Sequence, residues 1–223
     1  MMATATATAD VRYSFTAQFL CSSAIFTRRC AEIERINPDN PDDPTRTEHL
    51  GLVTAVIMQC AAAVEAQSAE LTIHGPGSHL GSGRFDEKAR DFLRPLAEFI
   101  NRQEALEPYN LILHLLGKPP LSKGDKAWQH MATLVKVRNE LIHYKSRWGE
   151  EMERKDLFAT LRQLHLSKPP FISPHTNFFP HQFLSAACAA WSVRTAVKFL
   201  DAFYERLEIE SPLHNYRAQF DGL

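Results

Sequence analysis

An excess of charge of one sign is missing from this sequence. Its 25 lysines and arginines are matched by 26 aspartates and glutamates among 223 residues, for a net charge of -1. That balance excludes a simple polybasic binder whose affinity rests on bulk electrostatics. It leaves room for a local basic site that acts on a few phosphates. Cysteine is scarce: Cys21, Cys30, Cys60 and Cys188 form no CxxC pair and no close Cys/His spacing of the kind zinc uses. Three of them sit inside apolar helical patterns, as buried free thiols do in a reducing cytoplasm. Residues 1–10, rich in Ala and Thr, lack the basic start and apolar run of a signal peptide and are expected to form a disordered tail. The apolar, uncharged run 50–64 is short for a bilayer span. The expectation is a soluble, cytoplasmic protein without membrane contact, and no cofactor is implied.

Convincing period-two alternation and internal repeats are also missing, whereas apolar residues recur at helical spacing almost throughout. A first helix is predicted over 13–36, with Phe15, Phe19, Phe26, Cys30 and Ile33 on its inner face, stopped by the turn-formers of 37–44. Thr47 is the expected cap of a second helix, which carries Leu50, Val53, Ile57, Ala61 and Val64 and ends near Leu71. The glycine-rich segment 75–84 reads as a surface loop, since no strand precedes it as a phosphate-binding loop would require. Further helices are predicted over 86–103, 107–116, 123–147 and 155–164. A proline-rich connector at 168–174 leads to a last helix, starting after Pro180 and ending near Leu207, whose inner stripe is Leu184, Cys188, Trp191, Thr195, Phe199 and Phe203. The fold class is therefore all-α, a helical bundle of about five to seven helices. Residues 11–210 form one domain, and 211–223 a C-terminal extension.

The segment 137–145, Val-Arg-Asn-Glu-Leu-Ile-His-Tyr-Lys, interrupts this regularity. The stripe of Met131, Leu134 and Val135 resumes at Leu141 and Ile142, and Arg138 and Asn139 occupy the positions expected to complete it. Arginine on an inner helix face is costly unless it is paired or faces a solvated cleft or a partner subunit. The spacing from Arg138 to His143 carries no weight alone, because 16 arginines and 10 histidines would generate about two such matches by chance. The context carries it: a helix, apolar flanks and a polar residue directly after the arginine. A structural reading accounts for the same residues, with Arg138 paired to a glutamate and His143 bonded to a backbone carbonyl. Glu65, within the otherwise apolar 61–66, is the candidate partner.

The run 135–143 resembles the signature of the HEPN (higher eukaryotes and prokaryotes nucleotide-binding) superfamily, whose members are helical bundles with an R-x4–6-H motif. Asn, Asp or His commonly follows the arginine in that motif. Tyr109 to Leu121, then Trp128 and Leu134, resemble the approach to the motif in bacterial members, and 61–66 resembles their earlier helix. The likeness spans roughly 47–207; the long first helix and the glycine-rich loop lie outside the minimal domain.

The resemblance implies a metal-independent endoribonuclease, a homodimer that pools two motifs in one cleft and acts on RNA. It also implies a possible toxin or defence role with an antitoxin or nucleotidyltransferase partner. The residues suit that chemistry. Histidine exchanges protons near neutral pH, so His143 can serve as base toward a ribose 2′-hydroxyl or as acid toward the leaving oxygen. Arg138 offers a planar fork of donors to a phosphate, and Asn139 can bond the phosphate or orient His143. Tyr144, Lys145 and Glu65 are weaker candidates for contact. On a regular helix Arg138 and His143 stand roughly 140° apart, so two helices crossing at a two-fold axis are needed to bring both kinds of group to one bond. The alternatives are a non-catalytic module of the same fold that binds RNA, a nucleotide or a protein, and a purely structural helical dimer.

Overall fold

The computed structural model describes residues 14–74, 87–144 and 155–223. Among these every regular element is helical: α1 (Phe15–Ile36), α2 (Asp43–His74), α3 (Glu87–Leu93), α4 (Ala97–Asn101), α5 (Glu107–Leu115), α6 (Lys126–Ile142), α7 (Lys155–Arg162), α8 (Ala186–Leu207) and α9 (Arg217–Phe220). The all-α bundle read from the periodicity is the observed architecture. The tail at 1–10, the glycine-rich loop and Lys145 lie outside the described residues.

Four long helices, α1, α2, α6 and α8, form the core, and the shorter ones pack around it. α1 and α2 run antiparallel: Glu70 meets Ser14, Gln59 meets Ser23 and Glu48 meets Arg29, so the partner's number falls along α2 as it rises along α1. The buried face of α1 keeps the expected Cys30 and Ile33 but not the three phenylalanines. It consists of small and short polar residues such as Ala17, Ser23, Ala24 and Thr27, together with Leu20, Cys30 and Ile33, while Phe15 is exposed. Small side chains let α2, with Ala61 and Ala63 on its own buried face, come close, and Phe19 and Phe26 are partly buried against the core.

α2 starts a turn earlier than Thr47. The Asp42 carboxylate accepts the Thr45 N–H at 2.9 Å, and Pro44 sits in the first turn, where its missing N–H costs nothing. Leu50 is exposed rather than inward. The segment Asp43–Leu71 is long and apolar enough to cross a membrane by length and composition. Its Val53, Val56, Ile57, Cys60 and Val64 are instead buried in the bundle. The helix expected over 86–103 is broken into α3, a 3-10 turn containing Pro95, and α4, because proline removes a donor and clashes with the preceding turn. After α5, Gly117 adopts φ +67°, and Lys118 N–H reaches Leu113 O at 2.8 Å, a left-handed stop that favours glycine.

α8 follows its expected stripe throughout: Leu184 just before it and Cys188, Trp191, Thr195, Phe199 and Phe203 within it are buried. Tyr109 of α5 packs edge-on between Phe199 and Phe203, with ring centroids 4.9 and 4.8 Å away. Residues 211–223 fold back onto the bundle, with Leu213 buried, Arg217 forked onto Asp201 and α9 against α1.

Candidate functional site

Trp128, Met131, Leu134 and Val137 form the buried face of α6. Val137, rather than Arg138 or Asn139, completes the stripe, so the polar break lies one residue round the helix, at the edge of the core. Arg138 is half-buried and Asn139 exposed; Leu141 is half-buried, and Ile142 is 52% exposed. The helix also ends earlier than the sequence pattern suggests. Ile142 is its last residue and His143 its C-cap, with φ -102° and the backbone N–H still bonded to Asn139 O at 3.0 Å.

Arg138 bridges helices. Its Nη2 donates to Oε1 of Glu65 on α2, and its Nη1 donates to Oδ1 of Asn139 at 3.0 Å. The arginine side chain is 22% exposed and the glutamate 43%, so the pair sits at a water-accessible edge and escapes most of the cost of a buried charge. Glu65 is held from below. Tyr109 Oη donates to the neighbouring Val64 carbonyl, Ser68 Oγ to Glu65 O at 2.9 Å, and Thr16 Oγ1 to Ala63 O at 3.3 Å. Burial in this apolar layer pushes the Tyr109 phenol well above its ordinary range, so it stays a donor at any physiological pH.

His143 is exposed, and among the described residues no hydrogen bond or ion pair engages its imidazole. Tyr144, 43% exposed, follows it out of the helix. The structure thus brings Arg138, Asn139 and Glu65 together, and places His143 and Tyr144 after them at the end of the helix. Guanidinium donors remain beyond the two in use, because arginine carries five. The Arg138 fork can hold an anion, while the His143 imidazole leaves the same helix about 140° away.

A second polar cluster escaped the sequence reading. His49 on α2 is 3% exposed, and its Nε2 lies 2.9 Å from Oε1 of Glu34 on α1. The same carboxylate oxygen accepts the N–H of Ala186, the first residue of α8, at 2.7 Å. The available signal was that His49 lies one turn before Val53 on the apolar face of α2, where an ionisable residue needs a partner.

Comparison with protein-family models, with curated proteins and with solved structures yields no match to this chain.

Proposed function

We propose that this chain is a metal-independent endoribonuclease of the HEPN kind, working in the cytoplasm as a homodimer in which two α6 ends share one cleft. The observation that carries the proposal is the Arg138–Asn139–Glu65 cluster one helical turn from the exposed His143, whose imidazole has no partner among the described residues. Exposed Ile142 and Tyr144 flank it and supply apolar surface for the second copy. His143 takes the proton of a ribose 2′-hydroxyl as its oxygen attacks the adjacent phosphorus. Arg138 stabilises the charge on the phosphoryl oxygens, and the second histidine returns a proton to the departing 5′-oxygen. The P–O5′ bond breaks as the P–O2′ bond forms, leaving a 2′,3′-cyclic phosphate and a 5′-hydroxyl. Glu65 keeps the guanidinium aimed. A toxin or defence role restrained by an antitoxin or nucleotidyltransferase fits such an activity.

One feature favours a second reading, a module of the same fold without chemistry that binds RNA, a nucleotide or a protein. The Arg138–Glu65 pair ties α2 to α6 and would serve a purely structural purpose equally well. Incubation with single-stranded RNA in EDTA separates the two readings. The nuclease cuts, and His143→Ala stops it while light scattering still shows a dimer. RNA of several sequences left intact by the wild-type chain favours the second reading over the nuclease, and cutting that EDTA abolishes defeats the metal-free route.

A further inference from the structure

A cleft of about 240 Å³ opens at the end of α2 remote from Glu65, between the helix and the proline-rich connector. Arg46 and Glu65 are nineteen positions apart on this helix, roughly 28 Å of rise, so the cleft is separate from the Arg138 cluster and owes nothing to the nuclease proposal. Leu50, Phe171, Leu184 and Pro180 contribute its apolar wall, and its polar groups are Arg46, His49 and His181. None of the described residues that line it is acidic.

The walls are already built. Phe171 stands edge-on to the His49 ring at 5.2 Å, Lys168 Nζ holds the Ile172 carbonyl, and Gln182 Nε2 bridges the Pro174 and Thr176 carbonyls at 3.0 and 2.6 Å. Glu34 sits behind His49, engaged by its Nε2 and by Ala186 N–H, which leaves Nδ1 as the ring atom with bonding capacity to spare. Arg46 is one turn from His49 on α2 and spends one donor on Asn40 Oδ1, at 2.5 Å. His181, beyond Pro180, has no partner among the described residues.

We propose that this cleft binds a small organic acid, its carboxylate on the Arg46 fork with His181 beside it and its hydrocarbon body against Phe171 and Leu184. An apolar pocket with a few convergent polar groups is the usual form of a small-molecule site. The volume holds roughly eight waters, which restricts the body to one ring or a short chain. A single arginine matches the charge and planar geometry of a carboxylate better than those of a doubly charged phosphate, which calls for more donors.

Calorimetric titration of the full chain with sodium benzoate and sodium hexanoate tests the site, with benzamide as the neutral counterpart of benzoate. Saturable binding of at least one acid at millimolar concentration or below is expected, with benzamide about tenfold or more weaker than benzoate. Arg46→Gln should weaken acid binding by about tenfold, and Leu50→Trp, at an exposed helix position, should fill the cleft and abolish binding while circular dichroism stays unchanged. Heat from neither acid, benzamide binding equal to that of benzoate, or Arg46→Gln without effect would overturn the assignment.

Discussion

Arg138 and Glu65 are 73 positions apart in the chain and share an ion pair that ties α6 to α2. The same guanidinium reaches back to the Asn139 side chain, so one planar group links two helices and the next residue of its own. Lysine cannot hold both partners in one plane. On the proposed nuclease reading, Arg138→Lys should therefore lower RNA cleavage about a hundredfold or more. Since the pair is partly solvated, Glu65→Ala should cost no more than about 1 kcal/mol of stability. Cleavage assays and urea unfolding on the two variants measure these separately.

Glu70 supplies a helix cap from a distance. Its carboxylate accepts Ser14 Oγ at 2.8 Å and the backbone N–H groups of Phe15 and Thr16 at 2.9 and 3.3 Å, satisfying donors that open the first turn of α1. Glu70→Ala should destabilise the fold by about 1 kcal/mol, the usual cost of a lost N-cap, seen as a lower urea midpoint with an unchanged slope. Equal midpoints for variant and wild type would mean that water replaces the carboxylate without loss.

Tyr109 combines a buried ring with a hydroxyl bonded to Val64 O. Tyr109→Phe removes only the hydrogen bond and should cost about 1 kcal/mol. Tyr109→Ala also empties the space between Phe199 and Phe203 and should cost about 3–5 kcal/mol. Chemical denaturation of the pair divides the polar contribution from the packing.

The thiols differ in accessibility. Burial pushes Cys30 and Cys60 up to about 12 and Cys188 further upward. Cys21, raised for the same reason, is only half-buried. A disulfide reagent at mildly alkaline pH should modify Cys21 in the native protein and reach the other three cysteines only after unfolding. Rapid modification of more than one thiol without denaturant would contradict the burial.

Asp42 makes the start of α2 sensitive to acid. Its carboxyl is held below the ordinary range by the Thr45 side-chain hydroxyl first and the Thr45 backbone N–H second. A depressed carboxyl contributes stability above its unfolded pKa and loses that contribution as pH falls through the folded value. The difference in melting midpoint between wild type and Asp42→Ala should therefore be full near neutrality and shrink as pH falls below the ordinary carboxyl range, about 4. Thermal melts of both proteins across that range measure it.

Much of this architecture is legible in the local pattern. The turn-formers of 37–42 end α1, Gly117 stops the segment after α5, and the α8 stripe from Cys188 to Phe203 is buried as its spacing indicates. The candidate site is less so. Met131, Leu134 and Leu141 are compatible with either Val137 or Arg138 facing inward, because adjacent residues differ by only 100° around the axis. The packing of α6 against α8 and α2 selects Val137 and moves Arg138 to the edge. The aromatic pattern of α1 misleads for a related reason: close approach of α2 favours the small face.

Helix positions and apolar stripes follow from residues three or four apart, whose side chains meet on one face whatever else the chain does. The sequence alone therefore determined an all-α bundle and marked Arg138, Asn139, His143 and Glu65 as residues needing an explanation. Tertiary structure decided that Arg138 pairs with Glu65, that Glu70 caps α1, and that Glu34 joins His49 to the start of α8, 152 residues away. These contacts depend on how whole helices are placed against one another, and no local periodicity records that placement.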